Sequence, residues 1–195
     1  MENYLIKMIS NMIQKEKFLN YNNIELYDDY WGFISSQLQL TPEFIEKYFD
    51  KFKIFDIITN QKLSENFLYS HKKDMTSQMW EYDIPQHQDL SMNFIINNDG
   101  SFCYSCLAMN QKLTESYIIE HIDKFRFSDI IFSQKVSEDF LRKYKDKINW
   151  RLVACKQVLS ESFIEEFADK LNFDLILKHQ DISEEFTQEI KDKWL

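Results

Sequence analysis

Apolar and polar positions along the chain form a pattern that starts again about every 23 residues. Each of seven segments opens with an aliphatic residue followed by Ser or Thr. The opening residues are Leu40, Leu63, Leu90, Leu113, Val136, Leu159 and Ile182. Every step is 23 residues except the step from 63 to 90, which is 27 residues because that segment carries a four-residue insertion. A period held over this span predicts a protein built by repeating one small unit.

Each unit begins with the signature of a helix N-terminus. The Ser or Thr can accept a hydrogen bond from a free N–H of the first turn, and Glu follows in six of the seven units, where negative charge favours the helix. Apolar residues at helical spacing, such as Phe140, Leu141 and Tyr144, then predict a first helix of about nine residues. The N-cap residues are Thr41, Ser64, Ser91, Thr114, Ser137, Ser160 and Ser183.

A charged Asp-Lys corner follows the first helix in five units, and a second short helix comes after it. Trp150, Val153 and Ala154 supply the apolar face of one such second helix. A hairpin of this size cannot bury its apolar stripe alone, so neighbouring hairpins are expected to stack on one another. The corners are at 50–51, 123–124, 146–147, 169–170 and 192–193.

The predicted fold class is therefore all-α, an α-solenoid of about seven 23-residue hairpins. Residues 38–195 are predicted to form this array as one continuous domain, with irregular repeats over 63–112. Residues 1–37 are predicted to supply N-terminal capping helices, since apolar residues in the opening stretch recur at helical spacing. Those apolar residues are Leu5, Ile6, Ile9, Met12 and Ile13.

A glutamine stands two residues before the opening aliphatic residue of the next unit. A polar residue at this register next to the core is expected to bond the backbone of the connection to the adjacent hairpin. The alternative is a ladder of glutamines on a binding surface. The six residues are Gln61, Gln88, Gln111, Gln134, Gln157 and Gln180.

Units of the form L-S-E-x-F-I-x-K-Y-x-D-K-x-N-W-x-x-I-x-x-x-Q-x resemble the short helical repeats of many proteins encoded by giant DNA viruses and large phages. The resemblance covers roughly residues 38–195 and is strongest over 113–193. It implies an α-solenoid in a virus-encoded protein. It carries over no catalytic or ligand-binding residue, because no activity is generally assigned to that family.

Composition and charge narrow the function classes. Only 2 Gly and 2 Pro occur, which favours helices over a sandwich or barrel, and the formal net charge is −9. Residues 159–195 hold ten Asp or Glu against four Lys, so this end is expected to repel nucleic acid. An odd number of cysteines, and no signal or apolar stretch of about 20 residues, predict a cytoplasmic protein that does not enter the membrane.

Candidate catalytic and metal chemistry is weak. Cys103 and Cys106 form a C-x-x-C pair, but zinc needs two further ligands, for which His71, His87 or His121 would have to approach. Buried or half-buried thiols are the preferred interpretation, and no metal or cofactor is predicted. With neither a recognisable catalytic triad nor a glycine-rich phosphate loop, the chain is not expected to be an enzyme.

The irregular middle, residues 69–106, is the one stretch that departs from the pattern. It contains the insertion, Pro85 and an Asn98-Asp99-Gly100 turn signal. Its aromatic residues either fill gaps in an altered repeat or form a surface that contacts a partner. The predicted partner-binding residues are Trp80, Glu81, Tyr82, Asp83, His87, Phe102 and Tyr104.

Three functional hypotheses follow from the sequence. The first is an interaction scaffold that grips a host or viral protein and inhibits a host defence factor. The second is a protein that sequesters a small molecule or nucleotide, and the third is an acidic mimic of nucleic acid built from the C-terminal units. The sequence names neither the partner nor the oligomeric state.

Overall fold

The computed structural model describes residues 28–194, and within that range the chain is helical without a β-strand. The all-α class and the helical repeat arrangement predicted from sequence are confirmed. The helix predicted around Leu5 to Ile13 lies outside the described residues. No helix in the described range is long and apolar enough to cross a lipid bilayer.

The chain divides into two compact units, and the division falls inside the repeat that opens at Leu90. The described part of the N-terminal unit is residues 28–101. It includes 3₁₀ turns at Phe49–Lys51 and Lys72–Asp74 and a π-helical segment at Met79–Asp83. Its α-helices are α1 (Asp28–Gln37), α2 (Pro42–Lys47), α3 (Ile54–Asn60), α4 (Glu65–Ser70), α5 (Ile84–His87) and α6 (Met92–Asn97).

The C-terminal unit begins at Phe102 and contains the most regular repeats. Its first and second helices alternate along the chain. They are α7 (Tyr104–Asn110), α8 (Glu115–Glu120), α9 (Phe127–Ser133), α10 (Glu138–Lys143), α11 (Trp150–Lys156), α12 (Glu161–Glu166), α13 (Phe173–His179) and α14 (Glu184–Trp194).

Every predicted N-cap residue accepts a hydrogen bond from the backbone N–H three residues later. Regular α-helix covers only six residues in each first helix other than α14, fewer than the nine expected, whereas α14 has eleven; the six-residue helices are α2, α4, α6, α8, α10 and α12. The N–H of Tyr144 still bonds the Phe140 carbonyl, and the N–H of Lys147 then bonds the Tyr144 carbonyl at 2.9 Å. This tight turn continues the apolar spacing past the helix end, so the sequence pattern looks longer than the helix.

Second helices of successive repeats pack on one another in both units. In the N-terminal unit α1 packs on α3 and α3 on α5, while α7, α9, α11 and α13 form a row in the C-terminal unit. Most second helices insert two adjacent residues into the core, such as Ile57 and Ile58 or Val153 and Ala154, and these four have no exposed surface. The first helices contribute fully buried side chains such as Phe140 and Phe163.

A repeat glutamine stands at the end of its hairpin and bonds the backbone of the connection that precedes that same hairpin. The side-chain oxygen of Gln157 accepts the Val136 N–H at 3.1 Å, and its amide nitrogen donates to the carbonyls of Ile131 and Gln134, both at 2.8 Å. Gln61, Gln88, Gln134 and Gln180 make the same three kinds of bond. One amide thus satisfies three backbone groups that stacking removes from water.

Within each unit, carboxylates make a second ladder that joins the first helices of successive repeats. The first-turn Glu138 accepts the N–H of Ser160, the N-cap residue of the next repeat, at 2.7 Å. The same bond joins Glu65 to Ser91, Glu115 to Ser137 and Glu161 to Ser183. The first-turn glutamate therefore has two roles: its charge stabilises the start of its own helix, and its hydrogen bond links that helix to the first helix of the next repeat.

Arg142 reinforces the ladder at one step. It contacts Glu138 and Asp139 on its own helix and donates from Nε to Glu166 of the next repeat at 2.8 Å. Partial burial alone would raise the pKa of the Glu138 carboxyl. The hydrogen bonds from Ser160 and the charge of Arg142 outweigh it, and the pKa lies below its usual value of 4.5.

Replacing Gln157 with Ala is expected to lower the free energy of unfolding by about 2–4 kcal/mol, because one N–H and two carbonyls lose their partner. Urea unfolding followed by circular dichroism measures the change. Val158→Ala is the control, since the Val158 side chain is 81% exposed and should cost no more than about 0.5 kcal/mol. Equal stabilities of the two variants would contradict the role of the glutamine.

Replacing Glu138 with Gln is expected to destabilise the chain at neutral pH and to matter less in acid. A carboxyl with a lowered folded-state pKa stabilises the fold above its unfolded pKa, and that contribution disappears as pH falls through the lower folded value. The unfolding midpoints of the wild type and the variant should therefore differ at pH 7 and approach each other as the pH falls below 4.5. Glu184→Gln is the matched control, because Glu184 has the same place in α14 and makes no such bond among the described residues; a similar loss there would refute the ladder.

Candidate functional site

The four-residue insertion lies in a helix. Residues 77–87 are continuously helical, whereas the second helices α3, α9, α11 and α13 each have seven residues. Thr76 caps the start, accepting the Met79 N–H at 3.2 Å on its hydroxyl. The insertion thus lengthens one second helix.

A π-helical turn absorbs the mismatch that the insertion creates. Four residues exceed one α-helical turn of about 3.6 residues, so a purely α-helical insertion would rotate the following residues by about 40°. In the structure the N–H of Ile84 bonds the carbonyl of Met79, five residues back, which takes up the excess. Pro85 suits this place because it has no N–H to supply and its ring would crowd the carbonyl of Glu81 in an α-helix.

The π turn restores the repeat register beyond it. Ile84 has no exposed surface, as Ile57 has none at the equivalent place one repeat earlier. Gln88 accepts the Leu63 N–H at 2.9 Å and donates to the Gln61 carbonyl at 2.8 Å. The irregular repeat therefore stacks on its predecessor with the usual link.

Trp80, a predicted contact residue, is buried with 6% exposure. Its ring lies 6.1 Å from that of Phe94 and 6.4 Å from that of Tyr69, and the Lys72 ammonium covers it at 4.1 Å. Trp80 therefore fills the core beside the insertion and does not present its ring on the surface.

The other predicted residues of this helix reach the surface. Tyr82 is 40% exposed and His87 is exposed, while Glu81 and Asp83 are half-buried. They occupy the solvent side of the same helix whose inner side carries Trp80 and Ile84. Surface contact with a partner stays a prediction for these four residues.

Phe102 and Tyr104 belong to the C-terminal unit. Phe102 is 3% exposed. The Tyr104 ring is half-buried and meets the Phe125 ring edge-on at 5.0 Å. Phe102 is therefore buried, whereas part of the Tyr104 side chain stays at the surface.

A residue that sequence reasoning missed extends the exposed surface of the N-terminal unit. Phe55 is 46% exposed and stands six residues before Gln61, as Tyr82 stands six residues before Gln88. Helix α3 packs against both the π segment and α5, so the two rings lie on adjacent helices. The shared register was visible in the sequence. It was overlooked because Phe55 occurs in a regular repeat, and contact residues were sought only in the irregular stretch.

Acidic side chains accompany both rings. Asp56 follows Phe55, and Glu81 and Asp83 flank Tyr82. We call these five residues the aromatic–acidic face. The Asp56 carboxylate lies against the backbone of α1 at Gly32, where an added Cβ would stand 3.4 Å from Oδ2.

Two of the three histidines considered as metal ligands, His71 and His121, have structural partners. His71 lies between the rings of Phe49 and Phe67, and its two nitrogens are 3.2 Å from Glu46 Oε2 and 3.1 Å from Asp74 Oδ2. The Nδ1 of His121 is 3.0 Å from the Tyr117 carbonyl oxygen.

The three cysteines are free and half-buried. Across residues 28–194, no group of three or more His, Cys, Asp or Glu is arranged to hold a metal ion.

The C-terminal unit carries a groove of about 300 Å³ between α12 and α14. Four glutamates line it, together with Ser162, Ser183 and Phe186. One of the four, Glu161, already accepts the Ser183 N–H. If the C-terminal units mimic nucleic acid, the glutamates of this groove would supply the negative charge. The glutamates are Glu161, Glu165, Glu185 and Glu189.

No protein-family model matches the chain, and comparisons with curated proteins and with solved structures find no significant match.

Trp80→Ala is expected to lower the free energy of unfolding by about 3–5 kcal/mol, because it empties a core site. Tyr82→Ala, two residues away on the same helix, is expected to cost less than about 1 kcal/mol because much of its ring is in solvent. Urea unfolding of the full chain compares the two. Similar losses for both variants would contradict the assignment of opposite sides.

Proposed function

We propose that the chain is a non-enzymatic protein-interaction scaffold whose N-terminal unit contacts a partner protein through the aromatic–acidic face. One observation carries the proposal: two large aromatic rings, Phe55 and Tyr82, are exposed at the same repeat register on adjacent packed helices. Single exposed apolar residues are common on any protein surface, but aligned aromatic rings are typical contact anchors.

The rigid setting of these rings supports the proposal. Each is mounted on a helix whose inner side is fixed in the core by fully buried residues, Ile57 and Ile84 respectively. Rings held in this way lose little conformational freedom when a partner covers them. A stack of short hairpins thus supplies a preorganised surface.

The resemblance to viral helical repeats suggests which class of protein the partner belongs to. On that resemblance, the face would bind a host or viral protein, and inhibition of a host defence factor would be the biological outcome. The scaffold would act by occupying a surface of that partner.

Site-specific photo-crosslinking tests the proposal. A benzoylphenylalanine placed at position 82 is expected to give discrete protein adducts in lysate of the cells that naturally contain the protein. The same probe at position 96 is the control, because Ile96 is 53% exposed in the same unit but lies on the first helix α6. Identical adducts from both positions, or none from position 82, would contradict the proposal, provided that both variants retain the wild-type melting temperature.

A further inference from the structure

Two cysteines stand at the two ends of the first turn of α7. Cys103 is the N-cap residue, with extended backbone at φ −64° and ψ 117°, and Cys106 is the third residue of the helix. Both are free and half-buried, so a small molecule can approach them. The N–H of Leu107 bonds the Cys103 carbonyl at 2.9 Å and closes the turn that contains the pair.

This turn holds the two cysteines at the separation that a disulfide spans. The distance between their Cα atoms is set by Tyr104 and Ser105, which are both helical. At a rise of about 1.5 Å per residue and about 3.6 residues per turn, Cα atoms three residues apart are about 5 Å apart. Disulfides join Cα atoms that are about 4.4–6.8 Å apart. The backbone can therefore accept the bond without moving.

Helix α9 shows that side chains at these two positions meet. Its N-cap residue is Arg126, with extended backbone like that of Cys103, and its third residue is Asp129. The Nε of Arg126 donates to the Asp129 carboxylate at 2.9 Å. An N-cap side chain in this repeat thus turns over the first turn toward the third residue.

Helices α11 and α13 repeat the arrangement with shorter side chains. The Oδ1 of Asn149 accepts the N–H of Leu152 at 3.2 Å, and the Oδ1 of Asn172 accepts the N–H of Leu175 at 3.0 Å. In each case the N-cap side chain reaches the third residue. In α7 the same two positions carry thiols, and no side chain caps that helix by a hydrogen bond.

The third cysteine is out of reach of this pair. Cys155 lies on α11, and α9 stands between α7 and α11 in the row of second helices. Packed helices lie about 8–10 Å apart, so α7 and α11 are about 16–20 Å apart. Since the chain has three cysteines, an intramolecular disulfide joins Cys103 to Cys106.

We infer that Cys103 and Cys106 are a site of thiol–disulfide exchange with low-molecular-weight disulfides, which closes a reversible disulfide across the first turn of α7. The inference goes beyond the proposed function and does not depend on the aromatic–acidic face. Closure fixes the turn in the conformation that the stack already holds, and α7 carries the buried Leu107 and Ala108. The oxidised chain is therefore more stable than the reduced chain.

The exchange has two steps. The thiolate of one cysteine attacks a sulfur of the small disulfide, a mixed disulfide forms, and one small thiol leaves. The thiolate of the other cysteine then attacks the protein sulfur of the mixed disulfide, and the second small thiol leaves. The two protons of the cysteines end on the two departing thiols, and the two electrons that the protein loses reduce the small disulfide. An excess of small thiol reverses both steps.

Mass spectrometry of the folded full chain in a glutathione buffer tests the inference. Free thiols are alkylated, so a closed pair is read as two cysteines that take up neither the alkylating agent nor glutathione. Closure is expected in the wild type and in Cys155→Ser, and it should be lost in Cys103→Ser and in Cys106→Ser. Its equilibrium constant should be at least about tenfold larger in the folded chain than in urea, because the turn holds the sulfurs together. Oxidation should raise the melting temperature by about 2–5 °C.

A matched variant moves one sulfur by one position. Ser105→Cys with Cys106→Ser keeps a thiol pair, but the second sulfur is turned about 100° around the helix axis. Ser105 is half-buried like Cys106, so access is similar. Closure of this pair is expected to be at least about tenfold less favourable than that of the wild type.

Three results would overturn the inference. The first is a folded wild type whose cysteines take up only the alkylating agent or glutathione. The second is closure that is no more favourable in the folded chain than in urea, a comparison that needs no variant and decides the matter if the shifted pair fails to fold. The third is equal closure of the wild-type and shifted pairs, which would show that nearness in the sequence alone brings the sulfurs together.

Discussion

The glutamine amide that ends each second helix is the interaction on which the repeat depends. Stacking places the backbone of each connection where water cannot reach it, and one N–H and two carbonyls then need partners. Glutamine offers one acceptor and two donors at the end of a side chain long enough to reach the neighbouring hairpin. Glutamate lacks the donors and asparagine lacks the length. The 23-residue period persists because each unit must deliver this amide opposite the preceding connection, as Gln157 does for Val136.

The insertion shows how strongly this link constrains the chain. Added residues did not displace Gln88, which still bonds the Leu63 N–H. The helix instead changed its winding between Met79 and Asp83 and kept its last residues in place. The surface that we assign to partner binding thus includes the segment where the helix departs from α-helical winding. The stacking of the repeats is unchanged there. Tyr82 is exposed to solvent there, while Trp80 fills the core beside it.

Sequence reasoning was strongest where one residue has one local role. The N-caps, the paired helices and the position of the glutamines all follow from spacing within a single unit. It was weaker where a residue serves the next unit: Glu138 suits its own helix start, and its bond to Ser160 becomes visible only once the distance between repeats is known. The burial of Trp80 and the exposure of Tyr82 depend on the wider winding of the π turn in which both residues lie, and residue composition does not reveal that winding. Phe55 was recognised as a candidate contact residue only once the structure placed it at the same repeat register as Tyr82.

The glutamine link also has a direction. The repeat glutamines bond backbone that lies earlier in the sequence, as seen for Gln61, Gln134, Gln157 and Gln180. On a ribosome, each connection is therefore synthesised before the amide that will occupy it, and every emerging hairpin meets a template already in place. The last connection of a partly synthesised array therefore stays without its glutamine until the hairpin that follows it has been made.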